Sequence, residues 1–158
     1  MAIYLRVRLK RHLVRQVRLL ELAQRVLSAL GERESELSLE LIGDRRMQRL
    51  NREYRKRDRT TDVLAFPTRE AIVPHGLSCP TSLLGDVVIS LPMAVRQARA
   101  AGRSVDDELA ILLVHGVLHL CGYDHERNVR EAERMARRER AVLRRISPIP
   151  HMVTLSTR

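Results

Sequence analysis

Two histidines, His115 and His119, stand four residues apart in His115-Gly116-Val117-Leu118-His119, and His125 follows. On an α-helix a spacing of four is about one turn, so both rings leave the same face. Gly122 lies between the second and third histidines and permits the chain to reverse, bringing His125 back toward the pair. Three protein ligands with one position left open is the arrangement of catalytic rather than structural zinc. Neutral imidazole suits zinc, nickel or copper. The competing reading is three ordinary histidines. Half of the chain's six histidines fall in this segment, however, and two lie among Leu, Val and Ile, where an ionisable ring is costly to bury without compensation. His115, His119 and His125 are therefore the expected metal ligands, with one Zn2+ per chain the expected ion.

The first two histidines resemble the zinc-protease pattern HExxH, which needs a glutamate general base directly after the first histidine. Gly116 stands there, so peptide hydrolysis by that route is not expected. Cys121 should point away from the metal, as a core residue. A disulfide between Cys79 and Cys121 is conceivable, but a self-sufficient core and a cytoplasmic setting argue against it. Neither cysteine belongs to a CxxC pair.

The elements that must position these groups follow from periodicity and caps. Ile3 to Leu9 alternates as a strand. Leu13 to Leu30 has helical spacing through Val14, Val17, Leu20, Ala23, Leu27 and Leu30, with Gly31 as its stop. Leu37, Leu39 and Leu41 alternate as a second strand. Asp44 is a candidate cap for a helix to about Arg55, with Met47, Leu50 and Tyr54 on one face. Val63 to Phe66 and Leu83 to Ser90 read as strands, separated by a Pro-containing loop over 67–82. Ser90 with Pro92, Ser104 with Asp107, and Asn128 with Glu131 open three further helices. The middle one, about Val105 to Cys121, is apolar over most of its surface and should be the buried central helix carrying the metal ligands. The result is an α+β fold, one domain over residues 1–146 with a mixed sheet of about four strands, and a loose tail over 147–158.

The 158 residues carry 44% apolar residues but only 3% aromatics, enough for one aliphatic core. No apolar run approaches the roughly 18 residues of a membrane span, and the N-terminus lacks a secretory h-region. A cytoplasmic protein without membrane contact is expected. Net charge is +10, almost all from arginine, whose planar fork suits phosphate. A polyanionic partner fits this balance; so does a solvated basic surface with no partner. Residues 1–18 hold six Arg or Lys and no acid, whereas residues 127–145 mix eight arginines with three glutamates. Those glutamates can pair along the helix, leaving the N-terminal segment as the better electrostatic guide.

The segment His115-Gly116-Val117-Leu118-His119-Leu120-Cys121-Gly122-Tyr123-Asp124-His125 resembles the signature of the YbeY endoribonucleases, bacterial metalloproteins of ribosomal RNA maturation. Leu50 to Asp58 and Thr61 to Pro67 resemble that family's LNxxYRxxDxxTDVLSFP, and Leu84 to Ser90 its LGDIVIS strand. The three segments keep the family's order and cover roughly residues 40 to 128. The resemblance implies an α+β fold, zinc on the three histidines, and single-strand-specific RNA cleavage. It implies a role in maturation of the 16S ribosomal RNA 3′ end and ribosome quality control, with ribosomal RNA and the small ribosomal subunit as partners. It also places Arg55 at the family's functionally important arginine, a catalytic candidate. Thr60 replaces a common proline, Ala65 a serine, and the acidic C-terminal ending is missing.

Several alternatives stand beside these readings. Arg55 taken alone would pair with Asp58 or Asp62. Asp124 either orients an imidazole or is a solvated turn residue, Asp86 either lines the cleft or makes a turn, and Tyr54 either packs in the core or stacks on a base. Two other functions compete: a metal-dependent hydrolase of a small phosphorylated or amide substrate, and a ribosome-associated binding protein with a structural metal.

Overall fold

Alternation of Ile3, Leu5 and Val7 with polar neighbours produces the first strand, β1 (Ala2–Val7), in the computed structural model, which describes residues 2–68 and 83–156. The other elements are β2 (Leu13–Val14), α1 (Gln16–Ala29), β3 (Glu36–Ile42), α2 (Asp44–Arg55), β4 (Val63–Pro67), β5 (Leu83–Ser90), α3 (Leu91–Ala101), α4 (Val105–Leu120), α5 (Val129–Ile146) and β6 (Val153–Thr154). Strands β1, β3 and β5 run parallel, and β4 runs antiparallel to β5, giving a mixed four-stranded sheet in the order β1-β3-β5-β4. This is the expected α+β architecture.

Leu37, Leu39 and Leu41 of β3 and Val87 and Ile89 of β5 are buried in the main core with α1 and α4. On α2, Met47 joins Ile42, Leu64 and Val88 in a second, smaller cluster. Ten of the sixteen residues of α4 are buried, because its apolar surface meets β4 and β5 as well as α1, α3 and α5. It is the central helix that the sequence implies. Three caps form as expected: the side chains of Ser90, Ser104 and Asn128 accept from the amides of Met93, Asp107 and Glu131.

Several expectations need correction. The apolar helix after β1 starts later, at Gln16, because Leu13 and Val14 form a short ribbon with Val153 and Thr154. Its buried stripe is Leu19, Leu22, Ala23, Val26 and Leu27, while Val17 is exposed. Asp44 is the first residue of α2 rather than its cap, a position held by Gly43. Its carboxylate receives Arg96 at 2.8 and 3.0 Å, Ser90 at 3.0 Å and Thr60 at 3.3 Å. The Arg96 guanidinium holds that carboxyl below the usual range, against the opposing effect of burial. Ser90 thus ties the start of α2 to the end of β5, and Thr60 ties in the segment before β4.

Over its described residues, 147–156, the tail is docked, not loose. Met152 is fully buried and Val153 nearly so. Asp106, in the first turn of α4, accepts from the amides of Met152 and Val153 at 2.8 and 2.9 Å and lies 2.9 Å from His151. Its prolines make this segment read as irregular; the Asp106 carboxylate and the backbone pairing of β6 with β2 together supply its order. Of the 67–82 loop, residues 69–82, with Cys79, lie outside the described residues. No helix among the described residues is long and apolar enough to cross a membrane.

Candidate metal centre

The last turns of α4 present His115 and His119 on one side. The helix then ends in a Schellman motif. The amide of Tyr123 donates to the Leu118 carbonyl and that of Gly122 to the His119 carbonyl, both at 3.1 Å. Gly122 takes φ +95°, a conformation that favours glycine. The chain reverses there and brings His125 back.

The three rings converge. His119 Nε2 lies 3.2 Å from His115 Nε2 and 3.1 Å from His125 Nδ1. Ligand bonds of about 2.0–2.1 Å in a tetrahedron would set nitrogens about 3.3–3.4 Å apart. The observed spacings approach that value, so the three histidines can hold a metal ion. Burial, and then the neighbouring charges of His115 and His125, push the His119 imidazole below the usual range, favouring the neutral form that binds metal.

A residue absent from the sequence reading completes the group. A carboxylate oxygen of Glu139, on α5, lies 2.5 Å from His115 Nδ1. With the imidazole N–H donating, the proton stays on Nδ1 and the Nε2 lone pair faces the other two rings. In sequence Glu139 looks like one of the glutamates that pair along the helix. Its signal was its phase: Met135, Val142 and Ile146 are the buried residues of α5, and Glu139 occupies the same stripe, where an apolar residue would be expected.

The histidines lie in a cleft of about 820 Å³ whose walls include Tyr54, Arg55, Phe66, Tyr123, Glu126 and Arg127. Arg55 is brought to the same cleft as the three histidines. It pairs neither with Asp58 nor with Asp62. Its Nη2 is 3.4 Å from Glu126, next to His125, while Asp58 takes Arg52 and Gln48, and Asp62 takes the Val63 amide and Gln97. Asp124 accepts from the Glu126 amide at 3.0 Å, so its turn role is the one observed. Asp86 stands mid-strand opposite Phe66 and Ser38 and is not among the residues of the cleft. Cys121 packs against the core, as expected. Tyr54 is not a core residue; it is 64% exposed.

Gly116 explains how α4 seats so close to the sheet. A Cβ there would lie 2.7 Å from Val87 Cγ1 and 3.3 Å from Val63 Cγ2. The glutamate of the protease pattern has no room at this position.

A family model described as endoribonuclease YbeY matches residues 6–147. Among similar proteins, the endoribonuclease YbeY of Anaeromyxobacter dehalogenans is 52% identical over 118 residues, 75% of this chain and 58% of the relative. That of Aquifex aeolicus is 42% identical over 141 residues, 89% of this chain and 90% of the relative. The chain thus spans somewhat over half the length of the Anaeromyxobacter relatives it matches. A solution structure of a Thermotoga maritima protein covers 91% of this chain and 88% of its own, with a TM-score of 0.61 at 22% identity, a likeness of fold. The matched span runs from β1 through α5 and contains the three histidines, Arg55 and Glu139. The chain belongs to the YbeY family.

Proposed function

We propose that this protein is a zinc-dependent endoribonuclease specific for single strands, with His115, His119 and His125 as the metal ligands and Arg55 as a catalytic residue. The convergence of three imidazole nitrogens beside a guanidinium in one cleft carries the reading. The names of the relatives support RNA as the substrate and the basic charge supports a polyanionic one; the resemblance of the three sequence segments further implies a cytoplasmic setting and ribosomal RNA of the small subunit, including the 16S 3′ end.

A zinc ion, when bound, supplies a Lewis acid that lowers the pKa of water to about 7 and polarises a phosphoryl oxygen. Glu139 keeps the His115 ring in the tautomer that aims Nε2 at the cluster. Arg55 is held by one solvent-exposed pair to Glu126 at 3.4 Å. Such pairs are worth little, so a phosphate displaces the carboxylate readily. The freed guanidinium then stabilises negative charge on the non-bridging oxygens in the transition state.

Elemental analysis of protein purified without added metal is expected to give about one zinc per chain. Metal removal should abolish cleavage of a single-stranded RNA while the fold persists. Arg55→Ala should keep the zinc and lose less than about 0.5 kcal/mol of stability, while single-turnover cleavage falls about a hundredfold or more. Wild-type cleavage by Arg55→Ala, or by the metal-free protein, would remove the corresponding part of the proposal.

A further inference from the structure

The chain has three tyrosines, one phenylalanine and no tryptophan. Tyr54, Phe66 and Tyr123 all line the cleft that holds the three histidines. Two of the three are already engaged. Tyr123 packs against the main core, with the Arg134 guanidinium 4.9 Å from its ring centroid. Phe66 packs on the cluster of Ile42, Met47, Leu64 and Val88. Tyr54 is different. It is 64% exposed and touches Phe66 edge-to-face, with centroids 5.1 Å apart and planes at 63°. Such a contact orients a ring without covering both of its faces. The Phe66 anchor therefore positions Tyr54 and leaves ring surface open to the cleft.

An open aromatic face beside guanidiniums has a definite chemical complement. Arg55 and Arg57 follow Tyr54 in sequence and line the same cleft, together with Arg127. A flat, weakly polar group attached to a phosphate satisfies both features at once, and a nucleotide of a single strand is such a group. A base inside a duplex is stacked on both sides and cannot present its face to a protein ring. We infer that Tyr54, held edge-on by Phe66, is a stacking subsite for one unpaired nucleobase of an RNA strand whose phosphates face Arg55 and Arg57. The inference rests on the endoribonuclease reading and gives that reading a physical source for strand selectivity. Phe66 acts through Tyr54, as a positioning residue.

The test is equilibrium binding of a single-stranded octaribonucleotide to the metal-loaded full chain at fixed salt, with cleavage followed in parallel. Wild type, Tyr54→Phe and Tyr54→Ala are compared, and each is also offered an abasic strand of equal length. Tyr54→Ala should bind the octaribonucleotide roughly five- to a hundredfold more weakly than wild type, with Tyr54→Phe within about twofold. The abasic strand should bind wild type and Tyr54→Ala alike. Equal affinity of Tyr54→Ala and wild type for the octaribonucleotide overturns the subsite. So does a loss of equal size on the abasic strand, or a wild type that binds neither strand. Tyr54-dependent binding without wild-type cleavage leaves the subsite standing and removes the nuclease reading; cleavage without any Tyr54 effect does the reverse.

Discussion

Glu139 touches one of the three histidines that can hold a metal ion, through the nitrogen that faces away from the other two. It accepts the Nδ1 proton of His115 and so decides which nitrogen of that ring is available. Loss of such a partner typically lowers metal affinity about ten- to a hundredfold. Glu139→Gln retains an acceptor oxygen but loses the charge, and Glu139→Ala loses both. The expected order of zinc affinity, measured by competition with a chromogenic chelator, is wild type, then Gln, then Ala. Equal affinities for all three would show that the contact does not tune the site. The histidines were legible because three rings within one short segment announce themselves. Glu139 was not, because its partner lies on another helix and its only mark was a charge in an apolar stripe. Arg55 was placed at the site by resemblance, but its partner Glu126 was not legible, because the two lie 71 residues apart and meet only in the folded cleft.

At the scale of elements, α4 sets the geometry, and Gly116 sets α4. The nearest obstacle to a Cβ there is Val87, 2.7 Å away, a β-branched side chain with little rotamer freedom. Gly116→Ala gains about 1 kcal/mol of helix propensity and loses about 1–3 kcal/mol to overpacking. A net loss of up to about 2 kcal/mol is expected in denaturant unfolding. Val87→Ala removes the clashing methyls, so the double variant should be more stable than the sum of the two single effects. Strict additivity would mean that the helix does not rest on Val87. Most elements were readable because alternation, helical spacing and side-chain caps are local. The start of α1 was misread because no side chain caps it: Arg15 precedes Gln16, and Leu13 and Val14 continue the apolar pattern into a strand. Tyr54 shares a helix face with Met47 and Leu50, and only the tertiary structure shows that this face runs out of the core into the cleft.

For the molecule as a whole, the docked tail joins the two ends of the described chain. Strand β6 pairs with β2, Asp106 holds the amides of Met152 and Val153, and Met152 is completely buried. Two-residue strands lie below the reach of periodicity, so neither half of this ribbon was visible in advance. The contacts span nearly the full sequence, and the entropy of closing so long a loop is offset only when the four-stranded sheet and its helices are in place. The tail is therefore expected to dock late in folding. Met152→Ala, which empties a buried site, should cost about 2–5 kcal/mol. Stopped-flow measurements should find nearly all of this in the unfolding limb, about thirtyfold faster for each 2 kcal/mol, with the refolding rate little changed. Equal displacement of both limbs would place the tail in the folding nucleus. On that expectation the segment that reads as loose governs how long the native state lasts, and the rate at which that state is reached is set elsewhere.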